Sequence, residues 1–191
     1  MRKVILFFFI CLSAKAFSQD ISSVDKINFY GVDFSAASFY GLEESWKTIK
    51  NGLCDINALL KREQKKYDIE KYFKKSLGSY CLESADADNE AMNVEAMITN
   101  SKDQLKISPE QIEIIVNNLS CSEGNGTGLV FIAESLDKPN TKASYYIVFF
   151  KEDTKEIIYS KNVVEKAGGF GFRNYWASTI YKIMKDWKYK K

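Results

Sequence analysis

The chain contains no histidine. That absence excludes a Ser-His-Asp triad, a Cys-His pair, a His-x-x-x-His zinc site and any histidine pH switch. Proline is nearly as scarce, with two residues, and the ten glycines follow no period, which excludes collagen-like and low-complexity chains. Neither charge is in excess: 27 Lys+Arg stand against 25 Asp+Glu, a formal +2. A nucleic-acid binder needs a clear basic surplus, so that class is excluded. No apolar run reaches the ~20 residues of a membrane-spanning helix, so no integral membrane segment is expected in the mature chain. What is present is 46% hydrophobic and 14% aromatic residues among 191, enough to bury a core in one domain.

The N-terminus reads as an address. Met1-Arg2-Lys3 precedes an apolar run from Val4 to Leu12, followed by Ser13-Ala14-Lys15-Ala16-Phe17-Ser18. A basic head, a short apolar middle and a small-residue ending form a secretory signal peptide. Ala14 and Ala16 suit a cut before Phe17; Ala16 and Ser18 suit the preferred cut before Gln19. The expected organisation is a signal peptide over 1–18, an extension over 19–26 and a single α/β domain over 27–191. The destination is the periplasm or the extracellular space. Processing removes Arg2, Lys3 and Lys15, leaving 24 basic residues against 25 acidic and a net charge of −1. It also removes Cys11 and leaves Cys54, Cys81 and Cys121, an odd number that allows one internal bridge. Cys81 and Cys121 lie beside predicted strands in polar surroundings and are the chosen pair. Cys54 falls in a helical stretch, and no histidine exists to activate it.

Residues 26–35 alternate as a strand, with Tyr30, Val32 and Phe34 assigned to one face and a loop over 36–41. Trp46, Ile49, Leu53, Ile56 and Leu60 then step by three and four, the stripe of an amphipathic helix, which Gly52 is expected to interrupt. Asp68 reads as the cap of a short helix over 69–75. Residues 79–82 suit a strand. Asp86-x-Asp88-x-Glu90 has calcium-loop spacing, but Ala91 and Met97 stand where the glycine and the bidentate acid belong. Ser108-Pro109-Glu110-Gln111 is a capping box opening a helix. Three strands over 128–134, 144–150 and 156–164 predict an antiparallel meander. Trp176, Ile180, Ile183 and Trp187 form the stripe of a last helix. The expected fold is α/β: one mixed sheet of four to five strands with a C-terminal antiparallel meander, flanked by three main helices.

Two places invite chemistry. Asp33 with Ser35, and Glu134 with Ser135, fall at strand ends, where α/β folds place their sites. As neighbours, Asp33 and Glu134 would serve as acid and base, with Arg173 as anion clamp. The Gly168-Gly169-Phe170-Gly171-Phe172-Arg173 segment opens a helix with free N–H groups and a guanidinium, an anion-site chemistry. It lacks the spacing of a dinucleotide fingerprint and the lysine-serine pair of a P-loop. The plainer reading is a positive-φ turn with Phe170 and Phe172 packed beneath it.

Three stretches together, FYGVDFS at 29–35, GLVFIAES at 128–135 and GGFGFRNYW at 168–176, resemble a family of exported bacterial proteins of unknown function. The likeness implies export and one α/β domain and brings no catalytic residue or cofactor. The order of elements is also similar to the small envelope domains related to the N-terminal domain of TolB, an analogy of fold alone.

With no complete catalytic constellation, no cofactor and no metal site are expected. The leading function is a non-catalytic exported module binding a partner or envelope component. The alternatives are a small hydrolase or transferase using Asp33, Glu134 and Arg173, or a binder of small anions at Gly168–Gly171. The candidate site comprises Asp33, Ser35, Glu134, Gly169, Gly171 and Arg173.

Overall fold

The computed structural model describes residues 21–187 except residue 123, and only the backbone at residue 103. The expected signal peptide and Cys11 lie outside the described residues. The elements are β1 (Lys26–Asp33), β2 (Ser38–Tyr40), α1 (Trp46–Arg62), α2 (Ile69–Phe73), β3 (Ser76–Tyr80), α3 (Glu83–Ala91), α4 (Val94–Met97), β4 (Ile98–Thr99), α5 (Pro109–Asn118), β5 (Thr127–Asp137), β6 (Lys142–Lys151), β7 (Ile157–Lys166) and α6 (Phe172–Asp186).

β5 is the hub of the sheet. One edge bonds antiparallel to β6, which bonds antiparallel to β7. The other edge takes β1 along residues 128–132 and then β2 along 135–137, both parallel. β3 lies outside β1 and β4 outside β2, again parallel. Seven strands therefore occupy five lanes, two of which are broken into β3/β4 and β1/β2.

The expected architecture is corrected here. The described residues hold seven strands and six α-helices, not four to five strands and three helices. Four of the six strand pairings are parallel, so a C-terminal antiparallel meander does not organise the sheet. β2 falls inside the presumed loop. Strands of three and two residues are too short to show alternation, and their pairing comes from distant partners.

Gly31 overturns a second expectation. Ile27 and Phe29 pack on one face and Tyr30 on the other; after Gly31, at φ +80°, Val32 and Phe34 return to the first face. The register against β5 shifts between Phe29 and Val32, a bulge that a glycine accommodates without Cβ strain. Tyr30 therefore does not share a face with Val32 and Phe34.

Helices cover both faces. α1, α2 and α6 bury Ile49, Leu53, Ile56, Phe73, Trp176 and Ile180 against the first. α5 buries Ile112, Ile115 and Val116 against Tyr30, Val130, Ile132 and Phe150 on the second. α1 starts at Ser45, whose side chain accepts from the Thr48 N–H, and continues unbroken through Gly52. A Cβ at Gly52 would lie 2.4 Å from the Phe172 ring, so this glycine lets α6 approach closely. The capping box of Ser108 and Gln111 is formed, with proline in the first turn.

Candidate functional site

The chain leaves β1 across the first face through α1 and α2 and returns as β3; it later crosses the second face through α5 and returns as β5 on β1's other side. The carboxyl ends of β1 and β5 thus flank a topological switch point, where open α/β sheets leave a ligand crevice. Here the chain fills that crevice itself. β2 continues the lane of β1, and Phe34, Ala37 and Phe39 are buried in it.

Asp33 ends β1 at this point and is fully buried. Its Oδ1 accepts from the Ser35 N–H at 2.8 Å and the Ser35 hydroxyl at 2.6 Å, while Oδ2 has no partner among the described residues. Burial pushes its pKa from 3.8 up to about 6, against the lowering by the two Ser35 hydrogen bonds, and the charge of Asp88 adds to the rise.

Beyond the end of β3, the free edge of β1 is satisfied by side chains. Asn57 Oδ1 accepts from the Val32 N–H at 2.7 Å, and its Nδ2 donates to the Val32 carbonyl at 3.1 Å and to Asp86 Oδ1 at 2.7 Å. Asn89 Oδ1 accepts from the Phe34 N–H at 2.7 Å and its Nδ2 donates to the same Val32 carbonyl at 2.9 Å. Two amide side chains, from α1 and α3, thus replace the missing strand between β3 and β4. Both asparagines are buried, as the satisfaction of buried backbone groups requires. The sequence reading missed this clamp, because an asparagine in a helix carries no local sign of a partner on a strand.

Of the other predicted residues, Glu134 stands on the strand beside Asp33, two residues beyond Ile132, the register partner of Asp33. Glu134 is buried on β5, where its Oε2 accepts from the Ser144 hydroxyl at 2.6 Å and from Asn162 Nδ2 at 2.9 Å. Arg173 stands on α6 with Nη1 3.8 Å from Asp55 of α1, in the helix layer over the first face. Val32 and Phe34 pack into that first face, so strand alternation directs Asp33 to the other. Asp33, Glu134 and Arg173 therefore each have separate partners, and the sheet stands between Asp33 and the guanidinium. A third buried carboxylate went unnoticed in the sequence. Glu152 accepts from Asn28 Nδ2 at 2.9 and 3.1 Å and from the Tyr30 hydroxyl at 2.6 Å, at the opposite end of β1.

Cys81 and Cys121 are joined, with Cα atoms 5.3 Å apart, tying the start of α3 to the segment after α5. Cys54 is a free, half-buried thiol whose pKa is raised by burial and by the nearby Glu90 carboxylate, which suppresses its nucleophilic form. Among the described residues, no cluster of three or more Cys, Asp or Glu is placed to hold a metal ion, and no helix is long and apolar enough to cross a membrane.

The glycine turn before α6 is tied at both ends. The Ala167 N–H donates to the Thr141 carbonyl at 2.7 Å and the Gly168 N–H to the Ser178 hydroxyl at 2.9 Å. The Tyr175 N–H donates to the Gly171 carbonyl at 2.9 Å. Gly169 and Gly171 have φ of +113° and +78°. Phe172 packs on Gly52 and Trp176, but Phe170 is 96% exposed, which corrects the expectation that both rings lie under the turn. Beside the turn, Lys138 Nζ sits 4.0 Å from the Tyr175 ring centre and 3.6 Å from Glu44 Oε1.

The described residues form an α/β sheet with its switch-point crevice closed and the Phe170 ring held out to solvent. No family model matches the chain, and no curated protein does. A solved structure, the lipoprotein GNA1162 from Neisseria meningitidis, is similar over 87% of this chain and 97% of its own, at 10% identity and a TM-score of 0.38. A likeness at that level assigns neither family nor function, and the resemblance read from the sequence gains no family from it.

Proposed function

We propose that the chain is an exported, non-catalytic module that binds an envelope component or partner through the turn at Gly168–Arg173. The observation that carries this reading is Phe170, held out to solvent on a turn whose two ends are anchored by backbone hydrogen bonds. A large apolar side chain at 96% exposure forfeits its burial energy, about 1.5–3 kcal/mol, unless something covers it. The carboxylates suited to acid–base work support the same reading from the other side. Asp33 is sealed from solvent and Glu134 is hydrogen-bonded to two neutral side chains, so neither is presented to a substrate. Export rests on the composition of residues 1–18.

Two measurements test this. Residues 1–18 fused to a reporter active only outside the cytoplasm should give activity; a silent fusion refutes export. The double variant Phe170→Ala/Arg173→Ala should keep the wild-type melting temperature and lose sedimentation with an isolated envelope fraction, whereas Asp33→Asn should retain it. Equal sedimentation of wild type and the double variant refutes the assignment of the binding end.

A further inference from the structure

Resting on the reading that Phe170 marks the binding end, we infer that its ligand is an anionic phospholipid surface. The base of the turn carries three lysines. Lys142 and Lys166 stand directly opposite one another in the β6–β7 register, and both are exposed. Like charges in facing positions of an antiparallel pair repel, their Cβ atoms being about 5 Å apart. Lys182 reaches the same spot from α6: its Nζ donates to the Lys166 carbonyl at 2.7 Å and lies 4.0 Å from where a Gly168 Cβ would stand. None of the three forms a salt bridge among the described residues, while the neighbouring cations Lys138 and Arg173 are paired with Glu44 and Asp55. Three lysines without a salt bridge therefore stand at the foot of a turn whose tip is a bare aromatic ring: Lys142 and Lys166 alternate to the second face, where Asp137 faces Lys142 from β5, and Lys182 comes from α6 over the first.

A lipid surface fits both features at once. Its phosphates neutralise the lysines, and its apolar interior takes the Phe170 ring, which an amphipathic interfacial anchor inserts just below the headgroups. A protein interface usually offers a contiguous apolar patch, whereas this ring stands between glycines and lysines. Nucleic acid supplies phosphate without an apolar layer for an unstacked phenyl tip, and the whole chain has no basic surplus. The anchored ends of the turn keep Phe170 projecting, so little ordering accompanies insertion.

The experiment is co-sedimentation of the full mature chain with phosphatidylcholine vesicles, with and without 30% phosphatidylglycerol. Binding is expected on the anionic vesicles alone and should fall as salt rises from 0.05 to 0.5 M. Each lysine contributes about fivefold, so Lys142→Ser/Lys166→Ser should weaken partitioning roughly thirtyfold. Phe170→Ala should weaken it by about tenfold or more, and Phe170→Trp should restore it. Both changes are at exposed positions, and an unchanged melting curve confirms the fold. Binding to neutral vesicles alike, no binding, or binding indifferent to Phe170 overturns the inference. Envelope sedimentation that still depends on Phe170 while pure lipid fails to bind assigns the ligand to an envelope protein. In that outcome the lipid inference falls and the proposed binding end stands; if both assays are indifferent to Phe170, both fall.

Discussion

Replacing Asp33 by asparagine removes the buried charge at the end of β1 and keeps the Oδ1 acceptor that Ser35 uses. In the folded protein this carboxyl titrates near 6, against an ordinary 3.8, because burial disfavours its charged form more than Ser35 favours it. A folded pKa above the unfolded one means that protonation is linked to folding. The contribution is fully present below about 3.8 and is lost as the pH rises through about 6. The separation corresponds to about 3 kcal/mol, most of it lost between pH 4 and pH 6. Wild type should therefore lose about 2 kcal/mol relative to Asp33→Asn on going from pH 4 to pH 7.5. Urea unfolding of both proteins across that range measures the difference directly, because all other titrating groups are common to both. Parallel stability profiles for the two proteins would refute the account of Asp33 as a sealed carboxyl. So would a wild type that gains stability relative to the variant as the pH rises.

Three further outcomes follow from the packing. Asn57→Ala and Asn89→Ala each strip buried β1 backbone groups of partners and should cost about 1–3 kcal/mol in urea unfolding. Because both amides donate to the Val32 carbonyl, the double variant should cost more than the sum of the singles; simple additivity would refute the shared clamp. Gly31→Ala places a Cβ 2.6 Å from Asn57 Oδ1 at φ +80° and should cost about 3 kcal/mol or more by thermal unfolding, with little soluble protein as the extreme result. Opening the Cys81–Cys121 bridge, which closes a separation of 40 residues, should lower stability by about 4 kcal/mol in denaturant with reductant present, and Cys54→Ser should leave that difference unchanged.

Legibility in the sequence follows the range of the interactions. The Asp33–Ser35 contact spans two residues and the Ser108–Gln111 box three, so both are visible as local patterns. The helical stripes of α1 and α6 are visible for the same reason: period, not partner, defines them. The Asn57 and Asn89 clamp spans 25 to 57 residues, and the Asn28–Tyr30–Glu152 network spans 122 to 124. No periodicity announces such pairs. The exposure of Phe170 was illegible too, since an aromatic between glycines reads equally well as packed or projecting.

Composition by itself determined the chemistry the chain lacks. Without histidine, the acid–base and metal repertoires that depend on imidazole are closed however the chain folds. Local pattern determined where α1, α5 and α6 form and how α2 and α5 are capped, because side-chain period and capping act within a few residues. Tertiary structure alone decided the rest. Gly31 reversed the faces of β1 only because a β5 partner and Asn57 stand beside it. β2 and β4 became strands only by completing lanes begun elsewhere. The carboxylates at the strand ends were sealed or hydrogen-bonded, and an aromatic ring was left bare at the glycine turn. Those outcomes depend on which distant surfaces meet, and a linear reading carries the surfaces without their meeting.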